Sequence, residues 1–146
     1  MAVRAAAAGD LPALRAVEAA VFGAGAYPGF FFRQALDALP AFFLVAEAEG
    51  RLVGYTLGAA QPGDGHGWIL SLGVDPAARG RGAGRALVAA LLEAFAARGA
   101  REVFLHVSPS NRAAIALYER LGFEVVREER DWFGPGEDRL ILRRGG

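Results

Sequence analysis

Val74-Asp75-Pro76-Ala77-Ala78-Arg79-Gly80-Arg81-Gly82-Ala83-Gly84-Arg85 is the stretch on which the reading of this chain turns. Before it, Trp68-Ile69-Leu70-Ser71-Leu72-Gly73-Val74 is an apolar, β-rich run ended by Asp-Pro. After it, Leu87, Val88, Leu91, Leu92 and Phe95 recur at helical spacing. The expectation is a strand, a short turn, then a glycine-and-arginine loop that opens a helix. The first turn of a helix carries unpaired N–H groups and the positive end of the helix dipole. Gly80, Gly82 and Gly84 let the backbone come close to a ligand and aim successive amides at it. Arg79, Arg81 and Arg85 add charge around the mouth, so a phosphate or pyrophosphate is the natural guest.

Two familiar phosphate loops are excluded. A Walker A loop ends in Gly-Lys-Ser/Thr, whereas this one ends in Gly84-Arg85-Ala86. A dinucleotide fingerprint has G-x-G-x-x-G, and Arg85 stands where its third glycine belongs. On the loop alone, a flexible connection with solvated arginines stays open beside the anion site.

Composition narrows the classes. The 146 residues suffice for one domain with a single sizeable core, taken as residues 1–146. A hydrophobic share of 53% argues against disorder. Sixteen Lys+Arg balance sixteen Asp+Glu, so no general nucleic-acid or membrane-surface binding is expected. The absence of cysteine removes disulfides, thiolate metal ligands and a Cys-acyl intermediate. Two histidines without H-x-x-x-H spacing give no metal site. The start, Met1-Ala2-Val3-Arg4-Ala5, lacks a signal-peptide core, and no apolar run approaches a membrane span. A cytoplasmic protein is the expectation.

Along the chain, residues 2–6 read as a short first strand. Asp10 is the expected N-cap of a helix with Pro12 in its first turn and an apolar stripe at Leu11, Leu14, Val17 and Val21, stopping near Phe22-Gly23. Tyr27-Pro28-Gly29 is a turn, and residues 30–36 form a second short helix ending before Pro40. Residues 42–46 and 52–57 form a hairpin about Glu49-Gly50. A polar, glycine-rich loop at 61–67 precedes the strand at 68–74. Gly99 closes the long helix, and residues 102–107 are a fifth strand. Ser108-Pro109-Ser110-Asn111 caps a helix through Leu121, ended by Gly122. A strand from Phe123 towards Asp131, a turn at 133–136 and a strand at 140–142 complete the chain. The order β-α-α-β-β-β-α-β-α-β-β implies an α/β sheet of mixed strand direction with about four helices.

Four blocks carry a resemblance over nearly the whole chain. Arg79-Gly80-Arg81-Gly82-Ala83-Gly84 resembles the R/Q-x-x-G-x-G/A acetyl-CoA loop of the GNAT superfamily of N-acyltransferases. The strand at 68–74 resembles that family's central fourth strand. Ser110-Asn111-Arg112-Ala113-Ala114-Ile115-Ala116-Leu117-Tyr118-Glu119-Arg120-Leu121-Gly122-Phe123 resembles its S/A-N-x-x-A-x-x-x-Y-x-x-x-G-F block. Asp131-Trp132-Phe133 with Gly136-Glu137-Asp138 resembles the closing hairpin of protein N-terminal acetyltransferases, including the ribosomal-protein-alanine type. The resemblance implies a twisted, mixed seven-stranded sheet splayed between its fourth and fifth strands. It implies acetyl-CoA as cosubstrate and an amine acceptor, most naturally a protein N-terminus. A small-molecule amine acetyltransferase and a non-catalytic acyl-CoA sensor stay open as alternatives.

The resemblance also implies roles. Residues 79–84 hold the CoA pyrophosphate, and the pantetheine arm lies between the splayed strands against backbone groups of Leu72 and Val74. Gly73 suits the bulge that such a strand needs. Asn111 contacts the arm, and Tyr118 protonates the departing sulfur. Read without the family, Asn111 is a competent N-cap and Tyr118 part of a core stripe with Ile115 and Leu121. His106 stands where many ribosomal-type members carry Glu; another branch has Leu-His-Val here, with the histidine as general base. On residues alone, His106 also reads as a core histidine. Trp68 occupies the place of that branch's catalytic tyrosine and cannot act as a base. His66, in the polar loop, carries no role. For the acceptor, Tyr27, Phe30, Phe31, Trp132 and Phe133 are the expected walls of a groove, with Glu137 meeting a substrate's positive charge.

Overall fold

The computed structural model describes residues 1–61, 63 and 65–145. Pro62 and Asp64 of the loop expected at 61–67, and the terminal Gly146, lie outside the described residues. The elements follow the expected order: β1 (Ala2–Ala5), α1 (Leu11–Phe22), α2 (Gly29–Ala38), β2 (Phe43–Ala48), β3 (Arg51–Ala60) and β4 (His66–Val74). Then come α3 (Ala83–Ala97), β5 (Glu102–Val107), α4 (Arg112–Arg120), β6 (Glu124–Glu129) and β7 (Arg139–Arg144). Short 3₁₀ turns fill several connections. Among the described residues no helix is long and apolar enough to cross a membrane.

The strands form one seven-stranded sheet in the order β1-β2-β3-β4-β5-β7-β6. All neighbours are antiparallel except β4 and β5. That parallel pairing is short, running from His66 opposite Glu102 to Ile69 opposite Leu105. Beyond it, residues 71–74 of β4 pair only with β3, and residues 106–107 of β5 pair only with β7. The sheet therefore opens into a V at its centre.

Each face has its own core. Leu14 and Val17 of α1 and Phe32 and Ala35 of α2 pack on Phe43, Val45, Tyr55 and Leu57. On the other face, Val88, Leu91 and Phe95 of α3 and Tyr118 of α4 pack on Ile69, Val103, Leu105 and Val107. A fully buried Leu or Phe contributes on the order of 1.5–3 kcal/mol, so the α3 stripe anchors the loop before it. Strict alternation on β5 buries Val103, Leu105 and Val107 and leaves Phe104 and His106 on the opposite face.

Two local expectations change. Asp10 stands at the N-cap position of α1 but its side chain makes no cap bond: its carboxylate accepts from the two terminal guanidinium nitrogens of Arg4 at 2.8 Å and from the Ala7 amide at 2.8 Å. The arginine holds that carboxyl below its ordinary range and draws it away from the helix end. The β4 bulge is not at Gly73. Leu57 pairs with Ser71 and Gly58 with Ile69, so the extra residue is Leu70. Gly73 pairs in register with Tyr55, and a Cβ there would meet Tyr55 Cε1 at 2.8 Å. Its lack of a side chain makes room for the tyrosine ring.

Candidate active site

The loop before α3 has the geometry its sequence implies. Gly80 and Gly82 take φ of +83° and +84°, values that side-chain-bearing residues rarely adopt. Gly82 is the N-cap, and the first helical bond runs from the Ala86 amide to the Gly82 carbonyl at 3.0 Å. The amides of Ala83, Gly84 and Arg85 thus precede the helical ladder and stay available to an anion. Gly84 faces α4, where a Cβ would stand 3.3 Å from Leu117 Cδ2. A cavity of about 540 Å³ opens here, lined by Arg79, Gly80, Gly82, Ala83, Gly84 and Arg85 from the loop. Leu72 and Val74 of β4 and Asn111 of α4 line it as well, whereas Gly73 and Arg81 do not. Free amides, glycines without Cβ atoms and three lining arginines, Arg79, Arg85 and Arg120, match the diphosphate end of a CoA thioester.

A second cavity, a cleft of about 320 Å³, lies at the V between β4 and β5. Phe22, Leu72, Asn111 and Ala114 border both cavities, so the two are neighbours. Asn111 Oδ1 accepts from the Ala114 amide at 3.2 Å, so it is the N-cap of α4 as well as a wall of both cavities. Tyr118 lines the cleft with 6% of its surface exposed and stands edge-on to Phe123 at 5.4 Å. Burial pushes its hydroxyl well above the ordinary tyrosine range, which keeps the proton on.

His106 lines the same cleft. Its ring stacks on Trp68 at 4.9 Å and 25°, with Phe133 edge-on at 5.3 Å and Trp132 tilted at 5.8 Å. Burial lowers its pKa below 6.5, and the nearby charges of Arg139 and Arg127 lower it further. The ring is therefore neutral at pH 7 and ready to accept a proton. Trp68 acts as a plate that fixes the ring's plane. His66 lies at the far end of β4, 3.6 Å from Glu102.

The acceptor-wall residues divide. Tyr27 and Phe133 line the cleft; Phe30 and Trp132 do not, though Trp132 touches His106. Tyr27 stacks on Phe31 at 4.3 Å. Glu137 pairs with Arg139 at 3.0 Å and is absent from the lining, while Arg139 itself reaches it. The carboxylate in the cleft is Glu18, 2% exposed, which accepts from Tyr55 Oη at 2.5 Å and from the Tyr27 amide at 2.9 Å. Tyr55 Oη also lies 2.6 Å from Ser71 Oγ, another lining residue. Sequence reasoning missed this trio. One signal was present: Glu18 falls on the apolar stripe of Leu14, Val17 and Val21, where a charge has to be explained.

The chain is similar to known acetyltransferases. The model of the acetyltransferase (GNAT) family matches residues 13–123. The N-alpha-acetyltransferase of Sulfurisphaera tokodaii is 35% identical over 127 residues, 80% of this chain and 76% of that protein. A mycothiol acetyltransferase of Saccharomonospora viridis is 40% identical over 95 residues, 60% of this chain but 31% of that longer protein. The solved ribosomal-protein-alanine N-acetyltransferase from Brucella melitensis superimposes with a TM-score of 0.84 at 29% identity, covering 100% of both chains. The family model spans most of the chain, and the chain belongs to the acetyltransferase (GNAT) family.

Proposed function

We propose that the protein transfers the acetyl group of acetyl-CoA directly to the α-amino group of a protein N-terminus. The observation that carries this reading is the open aromatic rim of the acceptor cleft. Phe22, Tyr27 and Phe133 line the cleft while 41%, 38% and 59% exposed, and Trp132 is 42% exposed beside Phe133. Large apolar surface kept in water around a polar cleft is suited to an extended ligand. The relative named N-alpha-acetyltransferase supports the same acceptor.

In this reading the loop amides and Arg79 and Arg85 hold the CoA phosphates, and Leu72, Val74 and Asn111 flank the arm. His106 takes a proton from the amine. An α-ammonium of pKa ~7.7–8.0 costs about 1 kcal/mol to deprotonate at pH 7, a lysine of ~10.4 about 4.6. A neutral histidine is matched to the first task. Tyr118, kept protonated by burial, returns a proton to the leaving thiolate. Gly73 and Arg81 act indirectly, Gly73 by admitting Tyr55 and Arg81 by adding charge outside the cavity.

The mycothiol acetyltransferase relative favours a second reading, a small-molecule amine acceptor. CoA release with acetyl-CoA and free N-terminal peptides, lysine-bearing blocked counterparts and small amines separates the two. Transfer to free N-termini is expected; transfer to small amines alone overturns the peptide reading.

A further inference from the structure

Glu18 is a buried carboxylate on α1 with no cationic partner among the described residues; its two oxygens are held by the Tyr55 hydroxyl and the Tyr27 amide. A carboxylate only accepts, and a hydroxyl has one proton to give. Tyr55, 2.5 Å from Glu18 Oε1, therefore spends its proton on Glu18. Tyr55 and Ser71 are 2.6 Å apart, so Ser71 is the donor in that bond. The direction is fixed: Ser71 to Tyr55 to Glu18. What remains at Ser71 Oγ is lone-pair density, and Ser71 lines the acceptor cleft together with His106. Ser71 follows the Leu70 bulge, on the part of β4 that has separated from β5.

We infer that Ser71 Oγ, oriented through Tyr55 by Glu18, accepts a hydrogen bond from an N–H of the incoming ammonium. Ser71 touches the acceptor; Tyr55 and Glu18 are positioning residues. The cleft thereby selects a protonated primary amine and turns away acceptors that present a carbonyl or carboxylate oxygen at that point. The low dielectric around the buried chain strengthens each bond, and the polarised chain makes Ser71 Oγ a better acceptor. This inference rests on the amine-transfer reading.

Glu18→Gln tests it, because the substitution reverses the chain while keeping its shape. The glutamine oxygen accepts from the Tyr27 amide, and its NH₂ donates to Tyr55 Oη. Tyr55 then donates to Ser71, whose proton turns into the cleft against the ammonium. We expect the KM for an alanine-initiated peptide, measured by CoA release, to rise about 10–100-fold, the range for losing a hydrogen bond to a charged group. The acetyl-CoA KM should stay near wild type, since Glu18 does not line the CoA cavity. Ser71→Ala removes the contact from a partly exposed side chain without disturbing the buried pair, and should raise the peptide KM similarly. An unchanged peptide KM in Ser71→Ala overturns the inference, as does an acetyl-CoA KM rising in parallel with the peptide KM in both variants. A small primary amine is run alongside. Wild-type transfer to the small amine alone refutes the peptide acceptor, and the same KM comparison then decides the Ser71 role on that amine. Wild-type silence on both overturns the amine-transfer reading and this inference with it.

Discussion

His106→Ala and His106→Phe, assayed side by side against pH, test the proposed base most directly. His106 is packed by Trp68 at 4.9 Å, Phe133 at 5.3 Å and Trp132 at 5.8 Å, so alanine removes both a base and a packing element. Phenylalanine restores the ring without the nitrogen. Losing a general base lowers kcat by ~10²–10⁴, about 2.7–5.5 kcal/mol of barrier. Both variants should show that loss at pH 7 while their acetyl-CoA KM stays near wild type, because His106 does not line the loop cavity. In the wild type, burial and the charges of Arg139 and Arg127 hold the His106 pKa below 6.5. Activity should therefore fall on the acid side only below pH 6.5, where the ring gains its proton. For a free N-terminus the deficit of each variant should narrow as pH rises past ~8, where solvent has already deprotonated the amine. CoA release with a free N-terminal peptide from pH 5.5 to 9.5 reads all of this. Full activity in His106→Phe would make the residue a packing element, and a deficit of constant size at every pH would remove it from proton transfer.

Four further outcomes follow from the same geometry. Arg139→Gln removes the larger of the two charges that lower the His106 pKa, so the acid limb of the pH–rate profile should move to higher pH; a limb that stays in place separates Arg139 from His106. Tyr118→Phe keeps the packing against Phe123 and loses only the hydroxyl, so kcat should drop by about 10²-fold or more with little change in thermal midpoint. Arg85→Ala should raise the acetyl-CoA KM more than Arg81→Ala, and more strongly at low salt, since Arg85 lines the loop cavity and Arg81 does not; equal effects would mean a diffuse field rather than a contact. Gly73→Ala places a Cβ 2.8 Å from the Tyr55 ring, and overpacking of that kind costs about 1–3 kcal/mol, measurable by denaturant unfolding.

His106 is the chain's own departure within its family resemblance, and its surroundings give the departure a physical meaning. A neutral histidine, its pKa lowered by burial, suits an acceptor whose ammonium pKa lies only about one pH unit above neutrality. Trp68 stacks on the His106 ring at 4.9 Å and 25°. Glu137, expected to meet a substrate cation, is instead joined to Arg139. The cleft's carboxylate comes from α1, on the other side of the sheet opening.

What the amino-acid sequence determined by itself is everything set within one short window. The strand, glycine loop and helix at 68–97, the Glu49-Gly50 hairpin with both φ values positive, the Asn111 cap and the Gly122 stop all follow from periodicity and local hydrogen bonds. The whole order of elements follows from the same signals. Tertiary structure alone decided where pairing across the sheet puts its irregularity, at Leu70 rather than Gly73, because register is a property of two strands together. It also decided which polar groups meet. Asp10 turns to Arg4 because β1 brings the guanidinium within reach, and the helix cap is given up. Glu18, Tyr55 and Ser71 come from three elements, and Glu18 and Tyr55 stand 37 residues apart. No window of sequence contains that contact; it exists because the helix and two strands bury their apolar faces against one another and bring the three polar groups within reach.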